Sequence, residues 1–143
     1  MYSRRSVGGL VSFLTISILA ISGCGPSGPP MAEVTGKVTF NGTAIEDGDI
    51  SFHPEQGSKG TTSSGPIKKG EYRLFGQSGL MAGTYSVRIN AYRAGQASTN
   101  PDMPPDPNPR VQFLPAKFND KSTIEKLVVE EGKPRVEKNF DLK

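Results

Sequence analysis

The side chains able to do chemistry are few and scattered. His53 is the single histidine in this 143-residue chain. A histidine working as a general base needs a carboxylate to orient it and a nucleophile to activate, both within hydrogen-bond reach. The run Ile50-Ser51-Phe52-His53-Pro54 alternates apolar and polar residues, which puts His53 on the polar face of a strand that the proline ends. That is the position of a surface histidine, and no catalytic residue is assigned. The densest acidic group is Glu46-Asp47-Gly48-Asp49. Calcium takes roughly six to eight oxygens from several chain segments, and the spacing of an EF-hand loop is missing. Zinc has too few His and Cys ligands. The run reads as a polar turn, and neither a metal nor a cofactor is expected. Lys68, Lys69, Arg88 and Arg93 would suit an acidic glycan or lipid headgroups, but as dispersed charges they read as a solvated face. Tyr72 and Tyr85 fall on inward strand positions. Tyr92 falls outward and is the one candidate ligand contact, a flat ring on which a sugar could stack.

Cys24 is the single cysteine, so no intramolecular disulfide can form. Its surroundings give it a different chemistry. Arg4 and Arg5 make a positive start, residues 7–21 are apolar over a signal-peptide length, and Ile21-Ser22-Gly23 then precede the cysteine. The apolar run is short for a membrane-spanning helix. A branched aliphatic residue, two small residues and a cysteine match the lipobox of bacterial lipoprotein precursors. Small residues let an extended chain enter the signal peptidase; the thiol carries a diacylglyceryl group. Cleavage then frees the Cys24 amine for a further acyl chain, palmitate being typical. One acyl chain gives marginal membrane binding and a second makes it stable. Residues 1–23 are therefore expected to be a signal peptide, and Cys24 a lipid anchor in a membrane of the cell envelope, on its periplasmic or outer face. The alternatives are a plain secretory leader with an incidental cysteine, or an uncleaved anchor. Ser3-Arg4-Arg5-Ser6-Val7 partly matches a twin-arginine export signal, so two export routes stand open.

Charge excludes one class of partner. The pI of about 9.1 would suit nucleic acid. Yet beyond residue 23 there remain 15 Lys and Arg against 14 Asp and Glu, interspersed and without a run of like charges. A nucleic-acid partner is not expected.

After the cysteine, Gly25-Pro26-Ser27-Gly28-Pro29-Pro30 cannot pack a core, and residues 24–32 read as a lipidated tether. From Glu33 the pattern turns to period two. Val34, Gly36, Val38 and Phe40 oppose Glu33, Thr35, Lys37 and Thr39, and Asn41-Gly42 is a hairpin signal. Ile50 with Phe52, Tyr72 with Leu74, and Tyr85, Val87, Ile89 with Ala91 mark three further strands. Residues 124–129 are apolar enough for another, and Val136, Phe140 and Leu142 alternate as the last. With 17 Gly and 12 Pro, no tryptophan and no sustained helical period, residues 33–143 predict one all-β sandwich of about seven strands. Residues 98–110 hold five prolines and cannot be a central strand; they read as a long stiff loop, a connector or a binding element.

The residues also carry a resemblance. Val34-Thr35-Gly36-Lys37-Val38-Thr39-Phe40-Asn41-Gly42 with Ile50-Ser51-Phe52 resembles the opening of carboxypeptidase regulatory-like domains, which are transthyretin-like (prealbumin-like) β-sandwiches. Gly70-Glu71-Tyr72-Arg73-Leu74 and Ala82-Gly83-Thr84-Tyr85-Ser86-Val87-Arg88-Ile89 resemble that family's next two strands. Leu114-Pro115-Ala116-Lys117-Phe118-Asn119-Asp120-Lys121-Ser122-Thr123 and the closing Phe140-Asp141-Leu142-Lys143 are similar to small lipoproteins abundant in Planctomycetes. The family usually places acidic pairs before the third strand. Here Gly65-Pro66-Ile67-Lys68-Lys69-Gly70 keeps the turn glycine without them, so no cation site carries over. The transthyretin-like hydrolases need several histidines and a C-terminal arginine motif that this chain lacks. The resemblance implies fold and compartment, and related domains dock proteins, build stalks, bind carbohydrate or assist hydrolases. The expectation is a non-enzymatic envelope lipoprotein that docks proteins or builds surface architecture. The alternatives are a carbohydrate-binding lipoprotein and an accessory to a hydrolase.

Overall fold

The computed structural model describes residues 30–96, 102, 106 and 108–143. The expected signal peptide with Ile21, Ser22 and Gly23, Cys24, most of the expected tether and most of the proline-rich stretch lie outside the described residues.

Ten strands form: β1 (Glu33–Phe40), β2 (Thr43–Ala44), β3 (Asp47–Pro54), β4 (Ser63–Lys68), β5 (Glu71–Leu74), β6 (Gly83–Ala94), β7 (Arg110–Gln112), β8 (Leu127–Val129), β9 (Arg135–Glu137) and β10 (Phe140–Leu142). Among the described residues there is no α-helix, only 3-10 turns at Gly76–Ser78 and Ala116–Phe118. The domain is all-β, a single curled sheet that is mainly antiparallel. Seven strands run across it in the order β10-β1-β5-β4-β3-β6-β7, while β2 and β9 attach to β1 and β8 attaches to β6.

Period two builds the interior. Val34 and Val38, Ile50 and Phe52, Ile67, Tyr72 and Leu74, and Tyr85, Val87, Ile89 and Ala91 all point into one buried core. Phe52 and Tyr72 stack obliquely at 6.0 Å, and Tyr72 meets Phe140 at 6.1 Å. Curling brings the far ends of the sheet together, since Phe40 at the end of β1 touches Phe113 beyond β7 and Phe118 in the second 3-10 turn. Asn41 and Gly42 both take positive φ, 50° and 79°, as a two-residue hairpin between β1 and β2 requires.

Three features depart from the sequence pattern. Asp47, Gly48 and Asp49 are not a turn; they open β3, because Gly48 can face inward against the Asn90 carbonyl while both aspartates face out. The stretch before Glu71 holds a strand, β4, despite Pro66. Proline is tolerated there because β5 pairs with β4 at Ile67 and Lys68 and not at Pro66, which leaves no ladder bond on that side to supply. The last alternating segment is two strands, β9 and β10, both parallel to β1 and separated at Lys138-Asn139. The break is a local bulging of the backbone with no inserted residue, since Thr35 pairs with Glu137 before it and Val38 with Phe140 after it. Lys138 N–H donates to Thr35 O at 2.9 Å. The Asn139 side chain accepts the Lys37 N–H at 2.7 Å, in place of a backbone carbonyl. The Lys138 carbonyl rises over Gly36, where any Cβ would lie 1.8 Å from it, and accepts the Tyr72 hydroxyl at 2.8 Å.

Candidate functional site

A cleft of about 640 Å³ opens at the end of the sheet where β1 finishes and β6 finishes. The hairpin residues Phe40, Asn41, Thr43 and Ala44 make one wall, and Ile45 and Asp47 lead from it into β3. Tyr92, Arg110 and Phe113 make the other. Antiparallel pairing of β6 with β3 and with β7 puts Tyr92 one step past the Ala91–Gly48 pair, in line with Asp47, and opposite Gln112.

The polar groups here are interlocked. The Arg110 guanidinium lies 4.1 Å above the centre of the Tyr92 ring, a cation–π arrangement. Its Nε meets Asp47 at 3.2 Å, and its terminal nitrogen lies 3.9 Å from Asp49. Lys68 closes an ion pair on Asp47 from the neighbouring strand. The hydrogen bond from Lys68, with the Arg110 charge beside it, holds the Asp47 carboxyl below the usual aspartate range. Burial pushes the Tyr92 phenol above its ordinary value, and the Asp49 carboxylate adds to the rise by charge and by accepting its hydrogen bond.

These contacts locate the residues singled out in the sequence. Tyr92 lies in the cleft wall, half-buried, with one ring face covered by Arg110. Asp47 and Asp49 are engaged by basic side chains. Among the described residues no group of three or more His, Cys, Asp or Glu could hold a metal ion. Lys68 and Lys69 sit at the β4–β5 hairpin, Arg88 faces out on β6 and Arg93 lines the cleft, so the four do not form one patch. His53 is half-buried on the outer face of β3. Its Nε2 reaches Ser51 Oγ at 3.2 Å and its Nδ1 reaches Thr62 Oγ1 at 3.3 Å. Burial lowers its pKa, and the Arg88 charge lowers it further. A serine and a hydroxyl flank the ring where an acid–base pair would need a carboxylate to orient it.

Arg110 and Phe113 are the residues of this site that the sequence did not single out. Their signal is faint, a basic residue and an aromatic flanking Val111-Gln112 at the end of the proline-rich stretch. No helix among the described residues is long and apolar enough to cross a membrane. No family model matches the chain, and no curated protein or solved structure matches it either.

Proposed function

We propose that the protein is an exported lipoprotein, held to an envelope membrane by acyl chains on Cys24, whose domain docks a segment of another envelope protein without catalysing a reaction. In this reading the curled sheet is a transthyretin-like β-sandwich of the carboxypeptidase regulatory-like kind. The observation that carries the docking role is the uncovered apolar edge beside the cleft. Val111 is 44% exposed and Phe113 36%, on and beside the short strand β7, which pairs with β6 alone. A strand at the end of a sheet offers outward N–H and C=O groups to an added strand, and pockets beside it select side chains. The occupant favoured by this geometry is an extended protein segment that pairs along β7 and lays an apolar side chain against the exposed Val111 and Phe113.

A photoactivatable phenylalanine at position 113, expressed in the native envelope, tests the role. The expected result is one protein adduct mapped to an extended segment, absent when the probe is moved to Val128 at the other end of the domain. An adduct with carbohydrate, or none, would overturn protein docking. The anchor has its own test. Intact mass of the native product should show a start at Cys24 carrying acyl chains, and Cys24→Ala should release the protein from membranes.

The Tyr92–Arg110 pair favours a second reading, carbohydrate binding. The uncovered face of Tyr92 can take a sugar ring while Asp47 and Arg110 meet its hydroxyls. Binding on a glycan array that disappears in Tyr92→Ala would support it.

A further inference from the structure

The two ends of the sheet differ, and the tether reaches only one of them. β1 starts at Glu33, immediately after the tether, and finishes at Phe40 in the wall of the cleft. Its eight residues span about 23 Å. β6 runs from Gly83, near the same start, to Ala94 at the cleft. The cleft and the tether therefore occupy opposite poles. Only six residue steps separate Cys24 from Pro30, a reach of at most about 20 Å even fully extended.

The tether pole combines exposed apolar side chains with charges of both signs, Lys59, Lys133, Glu130 and Glu131 lining the pocket beside Met31. Met31 is 39% exposed and bridges into the domain through the Ala32–Leu80 pair. Phe75, 63% exposed, begins the loop that returns to Leu80. The Arg73 guanidinium lies 5.2 Å from the Phe75 ring centre. Arg73 and Arg135 both bond to Glu33, so one carboxylate answers two cations. Aromatic rings flanked by basic side chains are enriched where protein meets the membrane–water interface.

We infer that this pole, with Phe75 and Met31 as apolar contacts and Arg73 and Arg135 as headgroup contacts, rests on the bilayer and turns the cleft outward. The inference builds on the lipid anchor proposed above. The anchor supplies attachment; the pole supplies orientation. A short leash alone would leave the domain free to tumble beside the bilayer, whereas a contacting pole fixes which end faces a partner.

The chain lacks tryptophan, so a single introduced one reports without background. Two variants of the full lipoprotein, Phe75→Trp and Phe113→Trp, are reconstituted into vesicles of phosphatidylcholine and phosphatidylglycerol, with and without lipids brominated on the acyl chain. Both positions are solvent-exposed, and circular dichroism matching the unsubstituted protein confirms the fold. The expected result is co-flotation of both variants, with emission at position 75 blue-shifted and quenched several-fold more strongly than at position 113. Co-flotation with no quenching at position 75, or with equal quenching at both positions, would overturn the orientation and leave the anchor standing. Failure to float would overturn the anchor and the orientation together.

Discussion

Replacing Gly36 by alanine should damage the domain out of proportion to one methyl group. The new Cβ would lie 1.8 Å from the Lys138 carbonyl oxygen and 2.9 Å from the Tyr72 ring. Both the oxygen and the ring belong to packed structure, so the bulge between β9 and β10 must lift from β1. Three hydrogen bonds converge on that bulge: Lys138 to Thr35, Lys37 to Asn139, and Tyr72 to Lys138. A hydrogen bond contributes about 1 kcal/mol net, and an exposed one such as Lys37 to Asn139 contributes less, so the loss comes to about 2–3 kcal/mol. That is a large share of the roughly 5–15 kcal/mol that holds a domain together. Urea unfolding of the mature chain, followed by far-ultraviolet circular dichroism, measures it directly. Asn139→Ala alone should cost about 0.5–1 kcal/mol. Added to Gly36→Ala it should cost almost nothing, since the displaced bulge has already lost that bond. A loss below about 1 kcal/mol for Gly36→Ala, or strict additivity of the two, would refute the bulge as the feature that requires glycine.

Other perturbations separate the core from the surface. Phe52 is fully buried against Tyr72, and Phe52→Ala should cost about 3–5 kcal/mol in the same urea titration. His53 has a folded pKa below its unfolded value, so the folded state resists protonation. Its contribution is complete above the unfolded pKa near about 6.5 and fades as the pH falls through the folded pKa. His53→Gln should flatten that part of the stability–pH curve, and an unchanged slope would contradict it. Asp49→Asn should bring the Tyr92 ionisation down without returning it to the ordinary value, because burial is the larger cause. Ultraviolet difference titration, with Tyr92→Phe to identify the transition, reads this.

The strands legible from sequence are those where period two runs unbroken. In β1, β3, β5 and β6 each second residue is apolar, and Asn41-Gly42 marks its own turn. β4 escaped because Ser63, Ser64, Gly65 and Pro66 have poor strand propensity; pairing with β3 along the whole strand, joined by β5 at Ile67 and Lys68, imposes the extended form. The split between β9 and β10 escaped because Lys138 and Asn139 keep both the residue count and the register, and only the local backbone pairing opposite Gly36 and Lys37 is broken. The cleft was legible only at Tyr92. Asp47, Tyr92 and Arg110 lie far apart in sequence, and only the pairing of β6 with β3 and β7 joins them. Cys24 is the reverse case: the lipid anchor proposed for it rests on four consecutive residues and on no feature of the fold.

The parallel seating of β9 and β10 against β1 has a consequence for biogenesis. On the general secretory route, one of the two left open for the proposed export, a chain threaded through a translocon would deliver its amino-terminal part first. β1 must then wait, with one flank bare, until the final segment has cleared the channel. On that route the domain would set only after transport ends, and envelope chaperones that shield naked strands would act during that interval.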